Sequence, residues 1–126
     1  MLAQFKMDIQ KNAVAFNQIR EWLHSNPELS WQEHQTSGYI ASLLTEWKIP
    51  FRIVAGTGII ADLIGKNQDK IIAYRADIDA LPIEEANNVS YKSKSTGVCH
   101  ACGHDFHTAT ALSTLKTLLP YRDRLN

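Results

Sequence analysis

The densest group of potential metal-binding side chains lies in nine consecutive residues, 99–107. The segment reads Cys-His-Ala-Cys-Gly-His-Asp-Phe-His and holds both cysteines and three of the five histidines of the chain. Thiolate and imidazole ligands bind Zn, Mn, Co or Fe, with a preference set by geometry. Cys102 and His104 can face one ion, since Gly103 between them frees the backbone. We expect Asp105 either to cap the following helix or to accept an imidazole N–H.

Two carboxylates form a second group of candidate residues. Asp77 and Asp79 follow a predicted strand, at the position where sites gather in open α/β sheets. In an extended segment residues two apart point the same way, so both carboxylates would lie on one face. Like charges on one face are unfavourable unless a cation or a proton separates them. Turn chemistry is the ordinary explanation for such a pair, but the presence of both groups in one chain favours a metal.

Cys99 and Cys102 also form a C-x-x-C motif, which is typical of other chemistries. A c-type haem site requires a histidine directly after the second cysteine, where Gly103 stands. A structural zinc finger requires two ligand pairs about a dozen residues apart. A thiol-disulfide redox module remains the alternative function, because the N-terminus of the following helix would stabilise a thiolate. Such motifs normally follow a strand directly, whereas a long irregular segment precedes this one.

Hydrophobic periodicity predicts three helices around these groups. The first covers residues 8–26, and Pro27 ends it. The second starts at Ser30 with a predicted capping box, in which Ser30 accepts the amide of Glu33 and Glu33 reaches back. The third covers residues 105–119.

Short apolar runs predict three strands, at residues 51–54, 59–64 and 70–76. The last two are predicted to pair as a hairpin, and residues 70–76 are predicted to form a buried central strand. Residues 77–103 are irregular, and a loop of this length in a compact domain is usually functional or disordered. The predicted fold is α/β, a partial three-layer sandwich of a mixed β-sheet flanked by helices.

Other polar and aromatic residues are given structural roles. His24 and His34 are expected on the surface, and Glu84 and Glu85 in a solvated loop. The three tryptophans are expected to pack in the core: Trp22, Trp31 and Trp47.

Composition limits the possible partners and location. The 126 residues suffice for one domain, and 13 basic and 13 acidic residues give a formal charge of zero. We therefore expect neither a nucleic-acid partner nor an anionic membrane surface, which require a basic excess. No apolar run approaches the ~20 residues of a membrane span, and the N-terminus lacks a signal-peptide pattern. A cytoplasmic location is expected, where cysteines bind metals, act in redox chemistry or fill cores.

Four motifs occur in an order that resembles one enzyme family. They are residues 24–30 with Glu33, residues 56–62, residues 75–85 and residues 100–105, the last reading His-Ala-Cys-Gly-His-Asp. This order resembles the metal-dependent amidohydrolases that include hippurate hydrolase, N-acyl-L-amino-acid amidohydrolase, N-acetyldiaminopimelate deacetylase and the plant auxin-conjugate hydrolases. The resemblance covers nearly the whole chain.

The resemblance implies a catalytic domain of the di-metal aminopeptidase-like fold that hydrolyses the amide bond of N-acyl amino acids. Two divalent metal ions are implied, with Mn, Zn, Co and Ni not distinguished. Cys102 matches the bridging thiolate ligand, His104 the next ligand, and Asp79 the carboxylate that orients the site. Asp77 falls where the wider superfamily has a metal-binding histidine and is a weaker candidate. Phe106 stands where glycine is usual, and Cys99 where an apolar residue is usual.

Members of the family are several hundred residues long. Their general-base glutamate, their remaining histidine ligands and a smaller domain used for dimer contacts follow in later sequence. Residues 1–126 are therefore expected to form the N-terminal part of a catalytic domain, without a second domain. Such a chain supplies two metal ligands and no base, and is expected to be inactive alone. The intact enzyme is expected to be a homodimer or homo-oligomer.

Overall fold

The computed structural model describes residues 2–125 and confirms an α/β fold. The elements, in chain order, are α1 (Leu2–Ser25), α2 (His34–Glu46), β1 (Phe51–Val54), β2 (Gly58–Ala61), α3 (His104–Leu118) and a 3-10 helix (Leu119–Arg124). None of the described helices is long and apolar enough to cross a membrane.

The core lies between the three helices and the hairpin. Residues spaced three or four apart place one apolar stripe of each helix inward, as helical periodicity requires. The buried apolar residues of the cluster are Ile19, Leu23, Ile40, Leu44, Trp47, Ile49, Ala109 and Leu112. Trp22 packs at the edge of this cluster, but Trp31 is 75% exposed, so its predicted core position is wrong.

Helix α2 begins at His34, and the predicted capping box at Ser30 is wrong. Trp31 has a φ of 67°, a left-handed conformation that a right-handed helix does not contain. Glu33 is buried, and its Oε2 accepts a hydrogen bond from the Thr57 hydroxyl at 2.7 Å. Glu33 therefore links the start of the helix to the hairpin instead of reaching back to Ser30.

The carboxylate of Glu28 accepts hydrogen bonds from the free amides in the first turn of α2. Its Oε1 accepts the Gln35 amide at 3.0 Å, and its Oε2 accepts both the amide and the hydroxyl of Thr36 at 2.8 Å. Free amides at a helix start need such an acceptor, and a negative charge there is favoured by the helix dipole.

The two strands form an antiparallel hairpin in which Phe51 pairs with Ala61 and Val54 with Gly58. Gly56, with a φ of 85°, allows the tight turn between them. The predicted strand at residues 51–54 is confirmed. The predicted strand at 59–64 forms in part, but it pairs with the strand before it rather than with the segment after it.

The predicted central strand at residues 70–76 is wrong for this structure. The segment has no strand pairing, and Ile71 and Ile72 are 91% and 95% exposed. A strand with apolar residues on both faces requires neighbouring strands and covering helices. Within residues 2–125 the only paired strands are β1 and β2, so the segment has nothing to pack against.

Two isolated bridges hold the long irregular segment that follows. Leu29 pairs in parallel with Ala80, whose amide donates to the Glu28 carbonyl at 2.8 Å. Leu81 and Cys99 exchange backbone hydrogen bonds of 3.0 and 3.1 Å. These contacts fix both ends of the segment that bears the candidate ligands.

We predict opposite outcomes for two apolar truncations. Leu44→Ala removes a side chain that is 1% exposed and should lower the free energy of unfolding by about 2–5 kcal/mol. Ile72→Ala should change it by less than about 0.5 kcal/mol, because Ile72 lies in water. Urea unfolding of both variants checks this. A large loss in Ile72→Ala would show that residues 70–76 pack as the predicted strand.

Candidate metal centre

The imidazole of His104 is held in one orientation by Asp79. His104 is the first residue of α3 and follows Gly103, whose φ of 86° turns the chain into the helix. Its Nδ1 lies 2.9 Å from Oδ1 of Asp79 and 3.0 Å from the Asp79 backbone oxygen. Both neighbours accept hydrogen bonds, so Nδ1 carries the hydrogen and Nε2 is the ring atom left to bind a metal.

The thiol of Cys102 is exposed two residues before His104, whereas Cys99 is buried, and neither forms a disulfide. Burial raises the pKa of the Cys99 thiol, and the negative charge of Glu85 raises it further. A redox pair requires two accessible sulfurs with one stabilised as thiolate. The buried, protonated Cys99 does not fit this requirement, so the geometry gives the redox alternative no support.

Cys102 and His104 fit part of a divalent metal site. An exposed thiol and an oriented imidazole are the ligand types that Zn and related ions prefer. Within residues 2–125 no group of three or more His, Cys, Asp or Glu side chains converges on one point. A catalytic zinc site has three protein ligands, so the described residues supply an incomplete ligand set.

The carboxylates of Asp77 and Asp79 contact different partners. Oδ1 of Asp77 lies 2.8 Å from Nη2 of Arg75, at the surface, while the Asp77 backbone oxygen accepts the Thr108 hydroxyl at 3.0 Å. Asp77 thus contacts α3 through its backbone, and only Asp79 contacts the histidine through its side chain.

Asp105 is buried in the first turn of α3 and does not cap it. Gly103 occupies the cap position, without a side-chain hydrogen bond. The Asp105 carboxylate instead accepts Nδ1 of His24 at 2.8 Å and Nε of Arg20 at 3.3 Å. The imidazole that it contacts therefore belongs to α1, not to His104.

His24 and Glu85 are functional candidates that the sequence patterns miss. The predicted surface position of His24 and the predicted solvated position of Glu85 are wrong, since both are buried. Nε2 of His24 lies 2.8 Å from Oε1 of Glu85. Helical periodicity predicts which face of a helix is apolar. It does not predict that a loop distant in sequence buries a polar pair. The available signal was that both residues lie in the motifs shared with the amidohydrolases.

Hydrogen bonding decides the ionisation of Glu85. Burial alone would raise its pKa, but hydrogen bonds from the Ser93 amide, His24 and Asn87 lower the pKa to about 2. The neighbouring His100 differs, since within the described chain neither of its buried ring nitrogens has a partner. Burial lowers the pKa of His100, and its ring is therefore neutral.

Comparisons with known proteins identify a related family and a related structure. Residues 73–125, which include Asp79, Cys102 and His104, match the model of Peptidase family M20/M25/M40. A crystal structure of the Bacillus subtilis YxeP protein, described as a dinuclear metal binding peptidase from the M20 family, superimposes with a TM-score of 0.88. The two chains are 42% identical, over 92% of this chain and 33% of that one.

Two curated relatives are named as a deacetylase and an amidohydrolase. The N-acetyl-L-cysteine deacetylase of Bacillus subtilis (strain 168) is 48% identical over 85% of this chain and 26% of its own length. The N-acyl-L-amino acid amidohydrolase of Geobacillus stearothermophilus is 43% identical over 92% of this chain and 31% of its own length. Residues 73–125 thus match the M20/M25/M40 peptidase family, and the chain spans about a quarter to a third of the length of these relatives.

We predict that Glu85 makes folding stability depend on acid pH. A carboxylate whose pKa falls from 4.5 to about 2 on folding stabilises the protein above pH 4.5, and this stabilisation is lost as pH falls towards 2. Glu85→Gln should be less stable than the wild type at neutral pH and should lose less stability in acid. Urea unfolding across this pH range checks this, with Glu46→Gln, an exposed glutamate of α2, as control. Parallel pH profiles of Glu85→Gln and wild type would contradict it.

Proposed function

We propose that this chain forms the N-terminal part of the catalytic domain of an amidohydrolase that cleaves N-acyl amino acids. The observation that carries the proposal is the 2.9 Å contact between Asp79 and Nδ1 of His104, which leaves Nε2 of His104 available to a metal, two residues along the chain from the exposed Cys102 thiol. The substrate class is supported by the two curated relatives, whose names describe the hydrolysis of acylated amino acids.

In this proposal Cys102, as thiolate, and Nε2 of His104 hold the metal. When bound, divalent metal ions polarise the acyl carbonyl and lower the pKa of a bound water towards neutrality. Asp79 accepts the hydrogen of Nδ1, which fixes the tautomer of His104 and makes its Nε2 more basic. The ligand types suit Mn, Zn, Co and Ni alike.

We propose that the general base is not among the described residues. Amide hydrolysis needs a group that takes a proton from water and returns it to the leaving amine. Asp79 is engaged with His104, and the buried carboxylate of Glu85 is engaged with His24 and the Ser93 amide. We therefore propose that the base lies in a part of the catalytic domain beyond these residues. A cytoplasmic location and homo-oligomeric assembly of the intact enzyme remain expectations from the sequence.

We predict that the chain binds Zn²⁺ or Mn²⁺ weakly, through Cys102 and His104. His104→Ala or Cys102→Ser should abolish this binding, because a single remaining ligand cannot hold the ion. Asp79→Asn should weaken it about 10–100-fold, since the imidazole loses its orienting acceptor. Calorimetric titration checks this, with His34→Ala on the exposed face of α2 as control. Unchanged binding in His104→Ala would refute the proposed ligand.

We predict that the chain alone does not hydrolyse N-acetyl-L-cysteine, whereas a chimaera does. In the chimaera this chain replaces the matching 26% of the Bacillus subtilis deacetylase, which supplies the rest of the catalytic domain. A missing general base alone lowers the rate by about 10²–10⁴. Chimaera activity should vanish in His104→Ala and persist in His34→Ala.

Two results would contradict the proposal that this chain supplies metal ligands and that the rest of the catalytic domain supplies the base. A folded, metal-loaded chimaera without activity would contradict the proposed function. Turnover by the isolated chain that is lost in His104→Ala would contradict the missing base.

A further inference from the structure

We propose that His24 is a positioning residue for the metal-binding pair, joining the segment that carries Asp79 to the helix start that carries His104. The inference rests on the proposed function in treating that pair as the metal site. Its basis is the double contact of the buried His24 ring, at 2.8 Å from Asp105 through Nδ1 and at 2.8 Å from Glu85 through Nε2.

The two carboxylates belong to the two elements that meet at the metal site. Asp105 directly follows His104 in the first turn of α3. Glu85 belongs to the segment that starts with Asp79 and is anchored at Leu81 by its backbone pairing. A ring that bonds both carboxylates sets the distance between the segment and the helix, and hence the distance between Asp79 and His104.

Both ring nitrogens of His24 contact a carboxylate oxygen. Nε of Arg20 lies 3.3 Å from the same oxygen of Asp105 that Nδ1 of His24 contacts. Tyr91 lies against the assembly, with its ring edge-on to His24 and in a cation–π contact with Arg20. A hydrogen-bonded network of this kind holds its members in one arrangement.

The packing of α1 on α3 does not depend on His24. Ile19 and Leu23 of α1 share the apolar core with Ala109 and Leu112 of α3. Loss of the His24 ring should therefore leave the helices packed and loosen the segment that carries Asp79. Catalytic and metal sites tolerate only about 0.5 Å of such displacement.

A metal-free measurement tests this positioning directly. Imidazole ¹⁵N NMR of the wild-type chain at neutral pH should show His104 as a single tautomer with its hydrogen on Nδ1. In His24→Gln, which keeps one amide donor, the His104 signals should move to a mixture of tautomers. In His34→Gln, an exposed histidine of α2, they should not change. A change in overall stability alone does not alter the tautomer of His104 in the folded state.

Several results would overturn the proposal. One is a mixture of His104 tautomers in the wild-type chain, which needs no variant to observe. Another is an unchanged His104 tautomer in a folded His24→Gln. If His24→Gln does not fold, Glu85→Gln tests the same proposal. This variant keeps an oxygen acceptor for the His24 ring, so it should shift the His104 signals in the same direction by a smaller amount. No shift there would also overturn the proposal.

Zn²⁺ titration separates this inference from the proposed function. His24→Gln should weaken Zn²⁺ binding about 10–100-fold, the range seen when residues behind a metal ligand are removed. Combined with Asp79→Asn, the loss should be smaller than the product of the single losses, because both act through His104. Multiplicative losses would overturn the inference while leaving the metal site intact. If the wild type binds no Zn²⁺ but the NMR result holds, the proposed function fails and His24 still positions His104.

Discussion

The buried Asp105 carboxylate is the constraint on which the arrangement of the candidate site depends. A carboxylate enclosed by protein is unfavourable unless charged partners and hydrogen bonds compensate it. Here Arg20 and His24 compensate it, and both lie on the last turns of α1. The C-terminal part of α1, which carries these two residues, and the start of α3 therefore meet at this carboxylate. The apolar contacts between the helices supply attraction, and the charged contacts select the register.

His24 extends this constraint to a third element through Glu85. The irregular segment has few apolar side chains in the core, so packing alone would leave its path weakly determined. Backbone pairing at Leu81 and the carboxylate at Glu85 fix it instead. Asp79 contacts His104 in the chain alone, at 2.9 Å, so in the proposed site this contact is formed without a metal. Preorganisation of this kind lowers the entropic cost of ligand binding.

The elements with regular hydrophobic periodicity were the parts of this protein that could be predicted. The third helix was predicted within a residue of its bounds. The position of the second helix start was not predictable, because its cap is Glu28, a residue outside the helix that no local pattern marks. The predicted central strand at residues 70–76 was wrong because an apolar segment forms a strand only beside other strands. Within residues 2–125 no strand pairs with this segment.

The exposed apolar stretch around Ile71, Ile72 and Tyr74 makes the solution behaviour of the protein sensitive to its solvent. Sulfate and phosphate strengthen hydrophobic association because they are excluded from protein surfaces, and cooling weakens it. The same chain is therefore better dispersed in cold, dilute buffer than in warm, sulfate-rich solution. Side chains that contribute nothing to the core can therefore influence how the chain behaves in solution.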